Sequence, residues 1–330
     1  MAPFALGGAD PQFAAERLQP VRLDLFSRAN RRRPIKMVSS MTNSPLGYRL
    51  LVIAAAVLFS TGGAAIKAAS LSGWQIASFR SGIAALFLLA VIPESRRRWR
   101  WRMLPVAVSY AATLVCFVLA NRLTTAANAI FLQSAAPLYV LLLGPVLLHE
   151  SIRRRDVGFV AVVVCGIACF FIGSTHTGAT APDPRHGNLF AVASGLAYAF
   201  TLAGLRWLSR KDTGGTAIAT VALGNLIACV AALPLALPAT SISGKDVAIL
   251  LYLGTIQIGL AYLCLTRGIR HVPALQATTL LMAEPALNPV WTWLVHAETP
   301  GAWALAGGVL IVSSTLWNIH GRAEYDNKPD

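Results

Sequence analysis

The stretch RLTTAANAIFLQSAAPLYVLLLGPVLLHE, residues 122–150, lies over RHVPALQATTLLMAEPALNPVWTWLVHAE, residues 270–298, when the chain is slid along itself by 148 residues without a gap. Seven of 29 positions are identical: Arg122/Arg270, Ala126/Ala274, Ala129/Ala277, Leu132/Leu280, Ala135/Ala283, Pro137/Pro285 and Glu150/Glu298. Alanine matches are cheap in a chain this apolar. The Arg, Pro and Glu matches are not, and they bracket an apolar run long enough to cross a bilayer. One membrane span therefore has a copy in the second half, and the chain reads as two versions of one unit.

Composition points the same way. The 330 residues are 55% hydrophobic and 13% charged, with a mean hydropathy of +0.59. Ordinary soluble domains carry about 25% charge, so this chain cannot cover itself with polar surface in water. Apolar runs recur to the end, each near the roughly 20 residues that cross the hydrocarbon layer. We place ten spans at 47–67, 74–93, 103–120, 124–148, 157–173, 187–208, 215–236, 246–265, 273–295 and 301–319. The longest connection, STHTGATAPDPRHG at 174–187, has the Gly, Pro and Asp content of a linker. The chain then divides into a basic tail (1–45), a first five-helix repeat (46–173), the linker (174–186), a second five-helix repeat (187–320) and a C-terminal tail (321–330). Five is odd, so the second repeat enters the membrane in the opposite sense. The expected fold is an all-α polytopic membrane protein with ten transmembrane helices as two inverted five-helix repeats, the architecture of many secondary transporters.

The net charge of +14 fits membrane topology better than nucleic-acid binding, because the basic residues lie in short loops and not on one helix face. With the N-terminus inside, fifteen Lys and Arg fall in the inner loops and C-terminal tail. Four, Lys67, Arg122, Arg185 and Lys245, fall outside. Both termini are therefore expected in the cytoplasm. The Arg-rich residues 1–40 hold no secretory signal, and a start at Met37 or Met41 would leave a short polar tail. The five cysteines lie within spans, which argues against a disulfide framework. We expect no metal and no cofactor: no Walker A, HExxH or GxSxG pattern is present, and the histidines fall in loops or at span ends. Small residues at every fourth position, Gly73, Ala77, Ser81 and Ala85 in span two and Gly187, Ala191, Gly195, Ala199 and Ala203 in span six, predict close helix packing.

A span opening with A..A, carrying a mid-span Pro and ending in Glu, followed by GFVAVVVCGIACF (158–170) or GAWALAGGVLIVSSTL (301–316), resembles the EamA domain. Two such domains in tandem resemble the drug/metabolite transporter superfamily over residues 46–320. The first half departs from the usual small residue before the final Glu, with His149 preceding Glu150. The resemblance implies an exporter of small metabolites, amino acids or drugs in a bacterial inner membrane, and some members resemble aromatic amino-acid exporters. It also implies that spans three, four, eight and nine line a central cavity.

Span nine holds the most unusual residues, LMAEPALNPVWTW at 281–293. A charge at mid-bilayer costs about 2.5–3.5 kcal/mol on insertion scales, so Glu284 should face the bundle interior, as a substrate-amine contact or a proton-coupling group. The alternative is a carboxyl that packs the kink at Pro285. Asn288 and Trp291 continue the same face, either as substrate wall or as an interhelical bond and an interfacial ring. Pro137, Pro285 and Pro289 break backbone hydrogen bonds within a span. The first half has Ala136, Val140 and Leu141 where Glu284, Asn288 and Pro289 stand, so these three break the symmetry of the repeats. Asn128 and Tyr139 of span four, Tyr110 of span three, and Gln257 and Tyr262 of span eight are further substrate-binding candidates, each also readable as interhelical glue. Arg80, about 9 Å into span two by helical rise, is expected to gate or brace, whether it snorkels outward or pairs with Glu284 or a substrate carboxylate. Glu150 and Glu298 end equivalent spans and are expected to cap a neighbouring helix or form a gate ion pair. The expected function is a secondary transporter exporting small metabolites, aromatic or hydrophobic amino acids first, by alternating access through a central cavity. A multidrug exporter is the nearest alternative, with a channel or membrane-embedded enzyme behind it. The expected partners are a small-molecule substrate and the lipid bilayer, with no nucleic acid. Monomer and homodimer are both open.

Overall fold

A computed structural model of the chain describes residues 45–96, 99–143, 154–172, 179–209, 216–239, 241–268, 271–272, 277 and 280–326. The described residues are overwhelmingly helical. In chain order the helices are α1 (Pro45–Ser60), α2 (Gly62–Ala68), α3 (Gly73–Val91), α4 (Leu104–Leu123), α5 (Ala126–Gln133), α6 (Ala136–Leu143), α7 (Arg154–Ile172), α8 (Pro184–Ser209) and α9 (Thr216–Ala236). There follow α10 (Gly244–Leu251), a π-helical segment (Tyr252–Leu260), α11 (Ala261–Gly268), α12 (Ala283–His296) and α13 (Ala302–Asp326). Among the described residues, six stretches are long and apolar enough to cross a bilayer: Leu46–Ala68, Gly73–Val91, Trp101–Leu123, Pro184–Leu205, Thr216–Ala236 and Gly244–Gly268. Asp156–Ile172 and Ala302–Asn318 are shorter apolar helices.

Local sequence sets where several helices begin. Ser72 and Gln75 form a capping box at α3, and Ser243 and Asp246 form another at α10. Thr125 accepts the Asn128 N–H at the start of α5, and Asp183 accepts the His186 N–H before Pro184 opens α8. Each cap satisfies an amide that the first helical turn leaves without a partner.

The fourth expected span is not one continuous helix. It breaks at Ser134–Ala135 between α5 and α6, and the ninth has a matching turn at Met282 before α12. Ser134 (φ −66, ψ −7) and Met282 (φ −65, ψ −10) are related by the same 148-residue offset. The cause is shared: Pro137 and Pro285 follow three residues later, lack an N–H, and crowd the carbonyls of Gln133 and Leu281. In the first half α8 closes on the break. A Cβ on Gly195 would lie 3.2 Å from the carbonyl oxygens of both Leu132 and Gln133, so a side chain there has no room. Glu150 and Arg270 lie outside the described residues.

Packing relates the two halves by exchange. Helix α4 packs along α8, and its counterpart α11 packs along α1. Helices α5 and α6 lie against α8 as α12 lies against α1. Helix α9 contacts α4 as the π segment contacts α3, while α3 with α9 and α7 with α13 are paired with their own counterparts. The small-residue stripes of α3 and α8 are at these contacts: Ala77, Ser81, Ala85, Ala191, Ala199 and Ala203 are buried. Outside the bundle the rule of a water-soluble protein is inverted. Leu86, Trp101, Leu294 and Val309 are 71, 79, 62 and 66% exposed, which suits contact with lipid.

Candidate substrate site

Two buried polar assemblies lie along α12 and the residues after it. The first is at mid-bundle. Glu284 is the second residue of α12, immediately past the break, where a carboxylate meets free amides and the positive end of the helix. It keeps partial accessibility, and its charge reaches Tyr198 of α8 and Tyr262 of α11. No ion pair to Glu284 is present among the described residues. The Tyr262 ring lies edge-on to Phe59 of α1 at 5.1 Å and to Tyr110 of α4 at 5.8 Å. Tyr198 and Tyr262 belong to the second half, as Glu284 does, and Tyr110 joins them from the first half through its contact with Tyr262.

Arg80 enters the same region from α3. It does not snorkel, being 1% exposed, and it does not pair with Glu284. Its Nη2 donates to the Leu114 carbonyl at 3.2 Å, and its Nε has no partner. An unpaired guanidinium in such surroundings is costly, by about 2.5–3.5 kcal/mol on insertion scales.

Beyond Glu284, α12 carries Asn288 and Trp291 towards α1. Asn288 is fully buried and neither atom of its amide has a partner. The chain comes close to it at the α1–α2 break, where Gly63 sits so near that a Cβ would lie 2.7 Å from Asn288 Oδ1 and 3.0 Å from Asn121 Oδ1. Gln257, on the π segment, donates to the Phe59 carbonyl at 3.3 Å and leaves its own Oε1 without a partner. The Trp291 indole donates to Ser60 Oγ at 2.8 Å. Pro289 is buried within α12, and Pro285 is its third residue.

The second assembly closes one face of the bundle. Glu298, just past α12, pairs with Lys67 of α2 at 3.0 Å, both side chains almost wholly buried, and also accepts the Ala126 N–H of α5 at 2.7 Å. Lys67 further donates to the carbonyls of Thr124, at 2.9 Å, and Thr180. Around this pair, Asp246 accepts from the Ser70 amide and hydroxyl at 2.7 and 2.6 Å, Arg122 donates to the Ala69 carbonyl at 3.1 Å, and His296 meets the Ala64 carbonyl at 2.9 Å. The ends of α2, α4 and α12 and the starts of α5, α8 and α10 therefore share this face. Consecutive spans run in alternate directions.

The other sequence candidates fall elsewhere. Asn128 donates to Thr124 Oγ1 and Asn188 Oδ1, both at 3.2 Å, and Asn188 in turn donates to the Phe170 carbonyl, a set that ties α5, α7 and α8 together. Tyr139 is half-buried against the main apolar cluster, and Pro137 stands in the first turn of α6. Tyr198, Lys67, Asn121 and Asn225 border these assemblies and were not singled out in the sequence. Lys67 had a signal, a cation in the last turn of an apolar stretch. The others look like ordinary polar residues of a span.

Alternating apolar helices, a lipid-suited exterior and a polar interior with one bolted face define an integral membrane transporter. Comparison with known proteins fits this reading. The chain belongs to the EamA-like transporter family, whose model matches residues 47–172 and 185–319. It is 29% identical over 280 residues to the pseudopaline exporter CntI in each of two strains of Pseudomonas aeruginosa, covering 81% of this chain and 94% of the relative. A solved structure superposes with a TM-score of 0.56 at 18% identity, over 85% of this chain and 99% of the other, a likeness of fold alone.

Proposed function

We propose that the protein is a secondary transporter of ten spans in two inverted repeats, exporting small amphipathic metabolites, aromatic or hydrophobic amino acids first, across a bacterial inner membrane with both termini inside. The observation that carries this is the exchanged packing of the two halves around Glu284, where Tyr110 of the first half meets Tyr262 of the second with ring centres 5.8 Å apart. Such an arrangement lets the halves trade conformations about a fixed site, which is what alternating access requires. The Lys67–Glu298 assembly then acts as the gate on the outer face. Glu284 receives the substrate amine, Tyr110, Tyr198 and Tyr262 enclose an aromatic or aliphatic side chain, and Asn288, Gln257 and Trp291 line the route towards the gate. The name of the relative, an exporter, supports the direction. Asn128 and Tyr139 serve this site through the packing of α5 and α6.

The reading is tested with purified protein in liposomes preloaded with unlabelled amino acid, following counterflow of labelled phenylalanine, tryptophan and leucine. We expect accumulation above protein-free vesicles for at least the aromatic pair. Absence of counterflow for all three would remove amino acids as the substrate class.

A further inference from the structure

We propose that Arg80, with the Tyr110 hydroxyl, forms a dedicated carboxylate subsite, so that the transported molecules carry an aromatic or aliphatic body, a cationic group for Glu284 and an anionic group for Arg80. The inference rests on the transport reading above and narrows its substrate class.

It starts from an imbalance of donors. A guanidinium has five N–H donors in a planar fork and always carries its charge. At Arg80 the Leu114 carbonyl takes one of them, and Nε has no partner although the residue is 1% exposed. Among the described residues no carboxylate pairs with it. Tyr110, one turn before Leu114 on α4, is 2% exposed, and its hydroxyl, near Tyr262 and Asn225, makes no hydrogen bond of good geometry. The Arg80 head thus lies one turn from Tyr110, whose ring meets that of Tyr262 edge-on with centres 5.8 Å apart. Tyr110 sits in an apolar cluster with Leu88, Ile92, Ile218 and Val221, with Leu114 and Leu263 against it. Buried polar groups are normally satisfied, and buried charges are normally paired. An incompletely satisfied cation that reaches Leu114, at the edge of that cluster, and a hydroxyl one turn away are the complement of an oxyanion, which a guanidinium binds through two parallel bonds. Asn225 Oδ1, also buried and unpartnered, is an acceptor. It suits a tyrosine hydrogen and not the anion itself. A Cβ on Gly254 of the π segment would lie 2.9 Å from the Arg80 carbonyl, so α3 is pressed against that segment.

The test separates binding from transport. The heat stability of detergent-purified protein is measured with phenylacetate and, in parallel, with phenylacetamide, which has the same ring and no charge. Wild type should be stabilised by phenylacetate at concentrations at least tenfold below those needed of the amide. In Arg80→Lys and Arg80→Gln the preference should shrink to less than about threefold while the ligand-free unfolding midpoint shows that the variants are folded. Equal stabilisation of wild type by the two probes, or by neither, overturns the subsite, and this arm needs no variant to fold. An unchanged preference in a folded variant overturns it as well. Counterflow of phenylalanine against phenylalaninamide then reports on the transport reading alone. Stabilisation by phenylacetate without any counterflow would sink that reading and leave the subsite standing.

Discussion

Glu284 and Glu298 stand one helix apart on the same segment, and the interior treats them in opposite ways. Glu298 is buried with Lys67 at 3.0 Å and the Ala126 amide at 2.7 Å. Glu284 has accessible surface, aromatic neighbours and no cation among the described residues. A carboxylate whose bonds are completed by its own chain fixes geometry. A carboxylate left without a partner in a membrane protein marks a place where something else binds. The repeat sharpens the contrast. Glu298 has its counterpart in Glu150, whereas the position equivalent to Glu284 is Ala136, which is buried and apolar. The paired carboxylate belongs to the scaffold both halves share, and the unpaired one is an addition to a single half.

The largest expected effect comes from breaking the paired site. Lys67→Met leaves the Glu298 carboxylate buried without its cation, and such losses cost about 3–5 kcal/mol. Denaturant or thermal unfolding in detergent should show this, and Lys67→Met combined with Glu298→Gln should recover much of it, because no buried charge then remains. A single variant as stable as the parent would mean the Lys67–Glu298 assembly is no lock, and the contrast with Glu284 would collapse.

The unpaired site should behave in the converse way. Glu284→Gln removes a charge with no protein partner to lose, so stability should stay within about 1 kcal/mol of the parent or rise, since a neutral amide is cheaper to bury. Counterflow of phenylalanine should fall at least tenfold, which is about 1.4 kcal/mol of binding or transition-state energy. Asn288→Leu is the companion change: both amide atoms are already unpartnered, so an apolar side chain of the same shape is close to neutral for folding while flux declines. Loss of stability in either variant without loss of flux would reverse the assignment of scaffold and site.

How far this contrast was legible in the sequence differs by residue. A lone Glu in an apolar run stands out because its cost does not depend on its neighbours. The Pro137/Pro285 break is also visible, because proline acts on its own helix. The Lys67–Glu298 pair is different. Its members are far apart in the chain, and only the meeting of α2 with the end of α12 brings them together. Asn128 shows the limit from the other side. A polar residue in a span reads alike whether it lines a cavity or bonds to Asn188 on another helix, and that choice is made by how α5 lies on α8. Tyr198 escaped notice for the same reason: its span is marked by small packing residues, and its meaning comes from Glu284 on a different helix.

A third carboxylate gives the smallest effect and calibrates the other two. Asp183 lies in the connection before α8, outside the spans, 45% exposed, with Oδ1 accepting the His186 N–H at 3.2 Å and Oδ2 against His186 Nδ1 at 2.7 Å. The backbone N–H of His186, then the imidazole and the charge of Arg185, hold its carboxyl below the ordinary aspartate range. A carboxyl depressed in the folded state stabilises above its unfolded pKa of about 3.9, and that contribution is lost as pH falls through the folded value. Asp183→Asn keeps a capping oxygen, since Asn serves about as well as Asp at an N-cap, but cannot titrate. Parent and variant should therefore unfold at nearly the same point at pH 7, and the parent should lose more stability on going to pH 3. The difference should be far smaller than that of Lys67→Met, because an exposed carboxylate has water as an alternative partner and Glu298 has none. A pH 3 loss in Asp183→Asn as large as the parent's would assign the acid sensitivity to other carboxylates.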